Sequence, residues 1–155
     1  YAEGADIVHC KTQCMVQPQL AGLKHLNRLE NVLAKAELDD VIFEGLMKNH
    51  LGFVIEGTMS NVFFEKDGDL FTPDLNLSGV KGVMRAAVIH YCEKNLVNHS
   101  VIDIDDELLE SFGSGFICNS VMGVVPIKSI NRKSMTISEV TQNIQKALCM
   151  RGNNE

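Results

Sequence analysis

The sequence predicts a single α+β domain in which helices flank a mostly antiparallel sheet. Two observations carry this prediction. Short apolar runs separated by turn residues recur along the chain, and three amphipathic stretches have apolar residues spaced three and four apart. The length of 155 residues, with 45% hydrophobic and 22% charged residues, suits one compact domain with its own core.

The first half of the chain is dominated by strand patterns. Residues 7–12 alternate loosely and predict a strand, and residues 26–38 predict an amphipathic helix. Asp67-Gly68 between two apolar runs is typical of a hairpin turn. Residues 14–22 and 73–79 are predicted to be loops. The apolar stripe of the helix consists of Leu26, Leu29, Val32, Leu33 and Ala36. The apolar runs that follow, expected to form a meander of four antiparallel strands, are 43–47, 53–56, 61–65 and 70–72.

The second half alternates helices with strands. Thr136 and Glu139 have the spacing of a capping box, which predicts the start of a final helix. Its apolar side consists of Ile137, Val140, Ile144, Ala147 and Leu148. An earlier helix follows Gly79, with the stripe Val80, Met84, Ala87, Val88 and Tyr91. The other predicted elements are strands at 95–103, 116–118 and 124–127 and a short helix at 105–109.

Composition excludes several functional classes. A formal net charge of −6 argues against broad nucleic-acid binding. No apolar run approaches the roughly 20 residues that span a bilayer. The five cysteines are scattered, and neither they nor the five histidines have the spacing of a metal site, so reduced thiols and no metal are expected.

Lys24 is the first candidate for chemistry. It lies between Leu23 and Leu26 at the predicted mouth of a helix, where apolar neighbours would desolvate it. Desolvation favours the neutral amine, which is a nucleophile and a base. The alternative is an ordinary solvated lysine beside a helix.

Three further polar segments are candidates for ligand contacts. Glu56 ends an apolar strand, so it is either an exposed strand-end residue or a carboxylate paired with a cationic ring nitrogen. Residues 78–82 precede a helix and are either a simple turn or a phosphate site built from free N–H groups. Asn119 and Ser120 join two apolar strands and either complete a turn or donate to a ligand. Together with Lys24, this set suits pyridoxal phosphate.

Four blocks resemble the fold-type-IV pyridoxal phosphate enzymes, the group of branched-chain aminotransferases, D-amino-acid aminotransferases and aminodeoxychorismate lyases. The blocks, which occur in that group's order, are LAGLKHLNRLE around Lys24, VIEGTMSNVFF (54–64), LSGVKGVMR (77–85) and NSVMGVVPI (119–127). The first and last are most similar to bacterial aminodeoxychorismate lyases. The resemblance covers essentially the whole chain.

The resemblance implies a fold and a role for each matched residue. The fold would be the large C-terminal domain of that group, a mostly antiparallel pseudo-barrel sheet with flanking helices. Lys24 would bond the cofactor and move the proton, Glu56 would hold the ring nitrogen, and Leu77 would pack on the ring. Val80 and Lys81 would offer main-chain N–H groups to the phosphate. Ser120 would add a contact on the phosphate side, and Thr58, Ser60, Asn61 and Asn119 would line the pocket.

The resemblance also implies an activity. That activity is the conversion of 4-amino-4-deoxychorismate to 4-aminobenzoate and pyruvate, in folate biosynthesis, by a cytoplasmic homodimer. A class IV aminotransferase is the second reading, and an inactive cofactor-domain fragment is the third. The group's smaller N-terminal domain is expected to be missing from this chain, so weak cofactor binding and poor turnover are expected of it.

Overall fold

The computed structural model describes residues 3–149. This part of the chain contains nine strands and four helices. The strands are β1 (Ala5–His9), β2 (Glu44–Lys48), β3 (Val54–Gly57), β4 (Asn61–Lys66), β5 (Asp69–Pro73), β6 (His99–Ile102), β7 (Ser114–Asn119), β8 (Gly123–Ile130) and β9 (Lys133–Ser134). The helices are α1 (Leu29–Lys35), α2 (Val83–Lys94), α3 (Asp106–Glu110) and α4 (Glu139–Cys149).

The strands form one curled sheet in the order β3-β2-β1-β8-β7-β4-β5-β6, with β9 paired to β8. Most pairs are antiparallel, but β1 runs parallel to both β2 and β8, and β6 runs parallel to β5. The two ends of the sheet approach each other, since the N–H of Val54 in β3 donates to the carbonyl of Ile104 just after β6 at 2.8 Å. The predicted α+β pseudo-barrel is confirmed.

The predicted four-stranded meander is wrong in its central pairing. β2 pairs with β3 and β4 with β5, as two separate antiparallel hairpins. β4 takes its second partner from β7, with Asn61 opposite Cys118, 57 residues further along the chain. The physical reason is the tight loop at 57–60, which turns the chain out of the β2–β3 hairpin and into the other half of the sheet.

Alternating side chains divide the core between the two faces of the sheet. Val62 and Phe64 point into the curled sheet, whereas Phe63 between them points to the face covered by α2 and α4. Phe63 stacks on Phe116 of β7 with ring centroids 5.0 Å apart. This period of two is the reason that the strand patterns were readable in the sequence.

The first helix is shorter than predicted, and its apolar stripe faces outward. α1 covers only Leu29–Lys35, and Leu29 and Val32 are more than 60% exposed. The buried positions are instead Asn31 and Ala34. The small Ala34 lets the helix pack closely on β2 and β3, and the Asn31 amide donates to the carbonyl of Thr58 at 3.2 Å.

Other local predictions met different outcomes. Asp67 and Gly68 have φ of 54° and 86°, as the predicted hairpin turn requires. The capping box at Thr136 is wrong, because Thr136 bonds to Gly113 and the N–H of Thr141 is accepted by the Ser138 hydroxyl at the start of α4. Among the described residues, no helix has the length and apolar character to cross a membrane.

Candidate active site

The segment that carries Lys24 is hydrogen-bonded to the loop that precedes α2. The N–H of Gly22 donates to the carbonyl of Gly79 at 2.8 Å, and the N–H of Lys81 donates back to Gly22 at 3.1 Å. Gly22 has a φ of +81°, and a side chain there would meet the stem of Lys81. Two of the blocks singled out in the sequence, 57 and 59 residues apart at these two contacts, therefore form one unit.

Glu56 lies at the end of β3 and is 3% exposed. Its Oε1 accepts from Nη2 of Arg28 at 2.8 Å, and its Oε2 accepts from the N–H of Val80 at 2.8 Å. Burial raises the pKa of the Glu56 carboxyl, and the Val80 N–H and the Arg28 guanidinium oppose that effect without cancelling it. The predicted strand-end carboxylate is thus buried and paired with a cation.

A second buried carboxylate, Glu44 of β2, holds the loop that follows Glu56. Glu44 is 1% exposed and accepts from the N–H groups of Gly45, Thr58 and Met59 and from the hydroxyls of Thr58 and Ser60. No cationic side chain of residues 3–149 forms an ion pair with it. Five donors around one carboxylate compensate for its desolvation. Glu44 therefore fixes the conformation of residues 57–60.

Two asparagines connect the remaining segments. Asn61 donates to the carbonyl of Val80 at 2.7 Å and accepts from the N–H of Gly82 at 3.2 Å. Asn119 donates to the carbonyl of Met59 at 3.1 Å and accepts from the N–H groups of Val121 and Met122. The structure thus brings all four blocks together. Thr58, Ser60 and Asn61, which were expected to line the pocket, form hydrogen bonds that hold these blocks in place.

Lys24 is exposed in the described part of the chain. Leu23 is 57% exposed, Leu26 is fully exposed, and α1 begins only at Leu29. The expectation that these two leucines desolvate the lysine at a helix mouth is wrong, because the Gly22–Val80 bridge holds this segment in an extended, non-helical form. Lys24 is therefore an exposed amine, two residues after the Gly22 contact with the loop that precedes α2.

The expectation that the main-chain N–H groups of Val80 and Lys81 are free is also wrong. The N–H of Val80 donates to Glu56, and the N–H of Lys81 donates to the carbonyl of Gly22. Leu77 is 41% exposed and stays attached through its carbonyl, which accepts from the N–H of Gln17. Ser120 is exposed at the turn between β7 and β8.

Sequence reasoning missed three residues of this region: Arg28, Glu44 and His25. The Nδ1 atom of His25 is buried and lacks a hydrogen-bond partner among the described residues. His25 lines a small cavity together with Arg28, Ser78 and Gly79. A bound polar group could form the hydrogen bond that this ring nitrogen, next to Lys24, lacks. Its only sequence signal was adjacency to the lysine.

The fold and these segments define a class: a curled-sheet domain of the type found in fold-type-IV pyridoxal phosphate enzymes. The model of the family "Amino-transferase class IV" matches residues 2–130. The chain belongs to this family. The family is one of pyridoxal phosphate enzymes, which confirms the predicted resemblance and, at the level of the family, the cofactor.

Individual relatives include both lyases and aminotransferases. The chain is 40% identical to an aminodeoxychorismate lyase of Vibrio harveyi over 147 residues, which are 92% of this chain and 54% of the relative. It is 29% identical to a D-alanine aminotransferase of Bacillus licheniformis over 81% of this chain and 46% of the relative. The chain spans about half the length of the curated relatives it matches.

Solved structures similar to this chain also include both a lyase and an aminotransferase. The crystal structure of a 4-amino-4-deoxychorismate lyase from Pseudomonas aeruginosa superimposes with a TM-score of 0.94 at 38% identity, covering 99% of this chain and 57% of that chain. A branched-chain amino acid aminotransferase from Escherichia coli superimposes with a TM-score of 0.86 at 24% identity. The second match shows the shared fold.

Proposed function

We propose that the chain is the cofactor-carrying part of a pyridoxal phosphate-dependent lyase that converts 4-amino-4-deoxychorismate to 4-aminobenzoate and pyruvate. The observation that carries the proposal is the similarity to the two lyases named above, at 40% and 38% identity. The two aminotransferases described above are 29% and 24% identical, and a further one, from Thermotoga maritima, is 32% identical over 117 residues. A role in folate biosynthesis and a cytoplasmic location are part of the same proposal.

The residues present suit two parts of the proposed cofactor, the position that bonds a lysine and the ring nitrogen. Lys24 offers an exposed amine for the covalent bond, and the unpartnered Nδ1 of the adjacent His25 offers a polar partner. Glu56 offers a buried carboxylate for the ring nitrogen. The phosphate end needs a rearrangement, because Val80 and Lys81 would have to release Glu56 and Gly22 to donate to it.

Each residue then has a task in the reaction. Pyridoxal phosphate, when bound, supplies an electron-withdrawing ring. Lys24 removes the proton from the amine-bearing carbon of the substrate, and Glu56 holds the proton at the ring nitrogen. The carbon–oxygen bond to the enolpyruvyl group breaks, and that group leaves as enolpyruvate, which takes up the proton that Lys24 removed and becomes pyruvate. Leu77 packs on the ring, Ser120 contacts the phosphate side, and Asn119 supports the pocket wall.

An aminotransferase is the second candidate function, favoured by the match to a D-alanine aminotransferase over 130 residues. It would use the same lysine and glutamate. The two functions differ in what becomes of the amino group: the lyase leaves it on the aromatic product, whereas the aminotransferase leaves it on the cofactor.

The proposal includes a homodimer. Its support is the outward apolar side of α1 and the segment before it, where Leu26, Leu29 and Val32 are all more than 60% exposed. A second copy that covers these side chains would remove apolar surface from water. Light scattering should give a mass of twice 17.1 kDa, and a monomeric mass would count against the dimer.

Absorbance after addition of pyridoxal phosphate, followed by product analysis, tests the function. The wild type should develop the band of a lysine-bonded cofactor, and Lys24→Ala should not, whereas Lys66→Ala on the surface should behave as wild type. With 4-amino-4-deoxychorismate, 4-aminobenzoate should form, slowly because the chain spans about half of its relatives. Formation of a keto acid from D-alanine without 4-aminobenzoate would establish the aminotransferase instead. Absence of both the band and the products would refute the proposal.

A further inference from the structure

We propose that Arg28 is a positioning residue that lowers the proton affinity of Glu56 and so places the proton shared with a bound pyridine ring on the ring nitrogen. The first half of this inference, the effect of Arg28 on Glu56, concerns the chain without cofactor. The second half, the position of the proton on a bound ring, rests on the proposed function.

The geometry of the pair is the first step. Nη2 of Arg28 is 2.8 Å from Oε1 of Glu56, and the two side chains are 24% and 4% exposed. A guanidinium this close to a carboxylate stabilises the charged form of the carboxylate, and the effect is larger where water is excluded. Arg28 therefore makes Glu56 a weaker base than an isolated buried glutamate.

Among the described groups around Glu56, one charged side chain stabilises its carboxylate form. The Val80 N–H approaches from the loop before α2, and Asn31 approaches from α1, and both are neutral. The Cys14 thiol approaches from the segment after β1, but burial raises its pKa, so it is neutral as well. Arg28 is the one charged side chain in contact with Glu56 in the described part of the chain.

The consequence for a bound ring follows from proton sharing. A carboxylate and a pyridine nitrogen that are in contact and share one proton titrate as a pair rather than independently. In a buried, apolar place the neutral pair, with the proton on Glu56, competes with the ionic pair. Because Arg28 stabilises the charged carboxylate, it favours the ionic pair. A protonated ring withdraws electrons more strongly than a neutral one.

The first test uses the chain without cofactor. The side-chain carboxyl carbon of Glu56, labelled with ¹³C and assigned with Glu56→Gln, is titrated by NMR. In Arg28→Met its midpoint should lie about 1–3 pH units higher than in wild type. Arg28→Lys should lie between the two, and Arg132→Met, which removes an exposed charge elsewhere, should match wild type. Equal midpoints in wild type and Arg28→Met would overturn the inference.

Arg28→Gln keeps a hydrogen-bond donor without the charge and serves if Arg28→Met does not fold. It should behave like Arg28→Met, and a wild-type midpoint would show that the hydrogen bond alone matters, which contradicts the inference.

The second test adds pyridoxal phosphate labelled with ¹⁵N in the ring. The wild-type nitrogen should resonate at the protonated position at neutral pH, and in Arg28→Met the resonance should move toward that of a neutral pyridine. An unchanged position would refute the second half of the inference. A wild-type chain that binds no cofactor would refute the proposed function, whereas the titration of Glu56 would still decide the first half.

Discussion

The side chain of Asn61 joins strand β4 to the loop ahead of α2 through two hydrogen bonds, the shorter a 2.7 Å bond to the carbonyl of Val80. The same Val80 donates its N–H to Glu56. Residue 80 is thus fixed on one side by Glu56 of β3 and on the other by Asn61 of β4, the strand that follows the 57–60 loop. Val80 is therefore hydrogen-bonded both to the Glu56 carboxylate and to Asn61, the residue that follows the 57–60 loop.

Asn61→Ala should lower the free energy of unfolding by about 1–3 kcal/mol, because it leaves the part-buried carbonyl of Val80 and N–H of Gly82 without their side-chain partner. Urea unfolding measures the change. Asn98→Ala, at an exposed position, should stay within about 0.5 kcal/mol of wild type. Equal effects of the two substitutions would mean that the Asn61 bridge is not structural.

Glu44→Ala should be more damaging, with a loss of about 3–5 kcal/mol, because five donors lose their acceptor in a buried place. Glu44→Gln should cost less, since one oxygen remains and only the Met59 and Ser60 side faces the new amide. Chemical denaturation checks this order, with the exposed Glu107→Gln as the control. A Glu44→Ala chain as stable as wild type would contradict the role given to the carboxylate.

The raised pKa of Glu56 predicts a specific pH dependence. Its stabilising contribution is complete below the pKa of the unfolded chain, near 4.5, and is lost as pH rises through the folded pKa, because the charged form is desolvated. The stability of wild type relative to Glu56→Gln should therefore fall from pH 4 to neutral pH. Thermal or urea unfolding at several pH values measures this difference, and a difference that does not change with pH would contradict the prediction.

Gly79→Ala should destabilise the chain for two separable reasons. Gly79 has a φ of +82°, and an added Cβ would lie 2.7 Å from Cγ2 of Ile55 and 3.1 Å from Oε2 of Glu56. Gly52 has a similar φ of +87° with no atom within 4 Å, so Gly52→Ala should show the backbone cost alone, about 1–2 kcal/mol. Gly79→Ala should cost a further 1–3 kcal/mol or so from overpacking. Equal unfolding free energies for the two variants would exclude crowding against Glu56.

Local patterns were sufficient for the elements that depend on neighbouring residues. The Asp67-Gly68 turn was readable because both residues must adopt positive φ, and the short helix at α3 was readable beside Asp105, whose side chain caps it. The positions of Glu56 and Asn61 in one block also pointed to the site. These signals are written within a few residues of each other.

The contacts that sequence reasoning missed are long-range. Glu44 looked like an ordinary polar residue of a strand, since its partners Thr58 and Ser60 lie beyond the next strand. Arg28 lies within the predicted helix 26–38 but outside its apolar stripe, and only the fold places it on Glu56. The apolar stripe of α1 followed the rule for a buried helix face, but tertiary packing of Ala34 and Asn31 rotated it outward.

The parallel pairing of β1 with β8 bears on how the chain is made. Ala5 pairs with Ile127, and Met59 receives its hydrogen bond from Asn119. During synthesis β1 can therefore pair with β2 early, but its second partner, β8, leaves the ribosome only after most of the domain has been made. Such non-local pairing slows folding and leaves strand edges exposed in the meantime. The candidate site is among the last parts to assemble. A nascent chain that stops before β8 would carry three of the four blocks complete, but it would lack the strand that joins the β3-β2-β1 half of the sheet to the β7-β4-β5-β6 half.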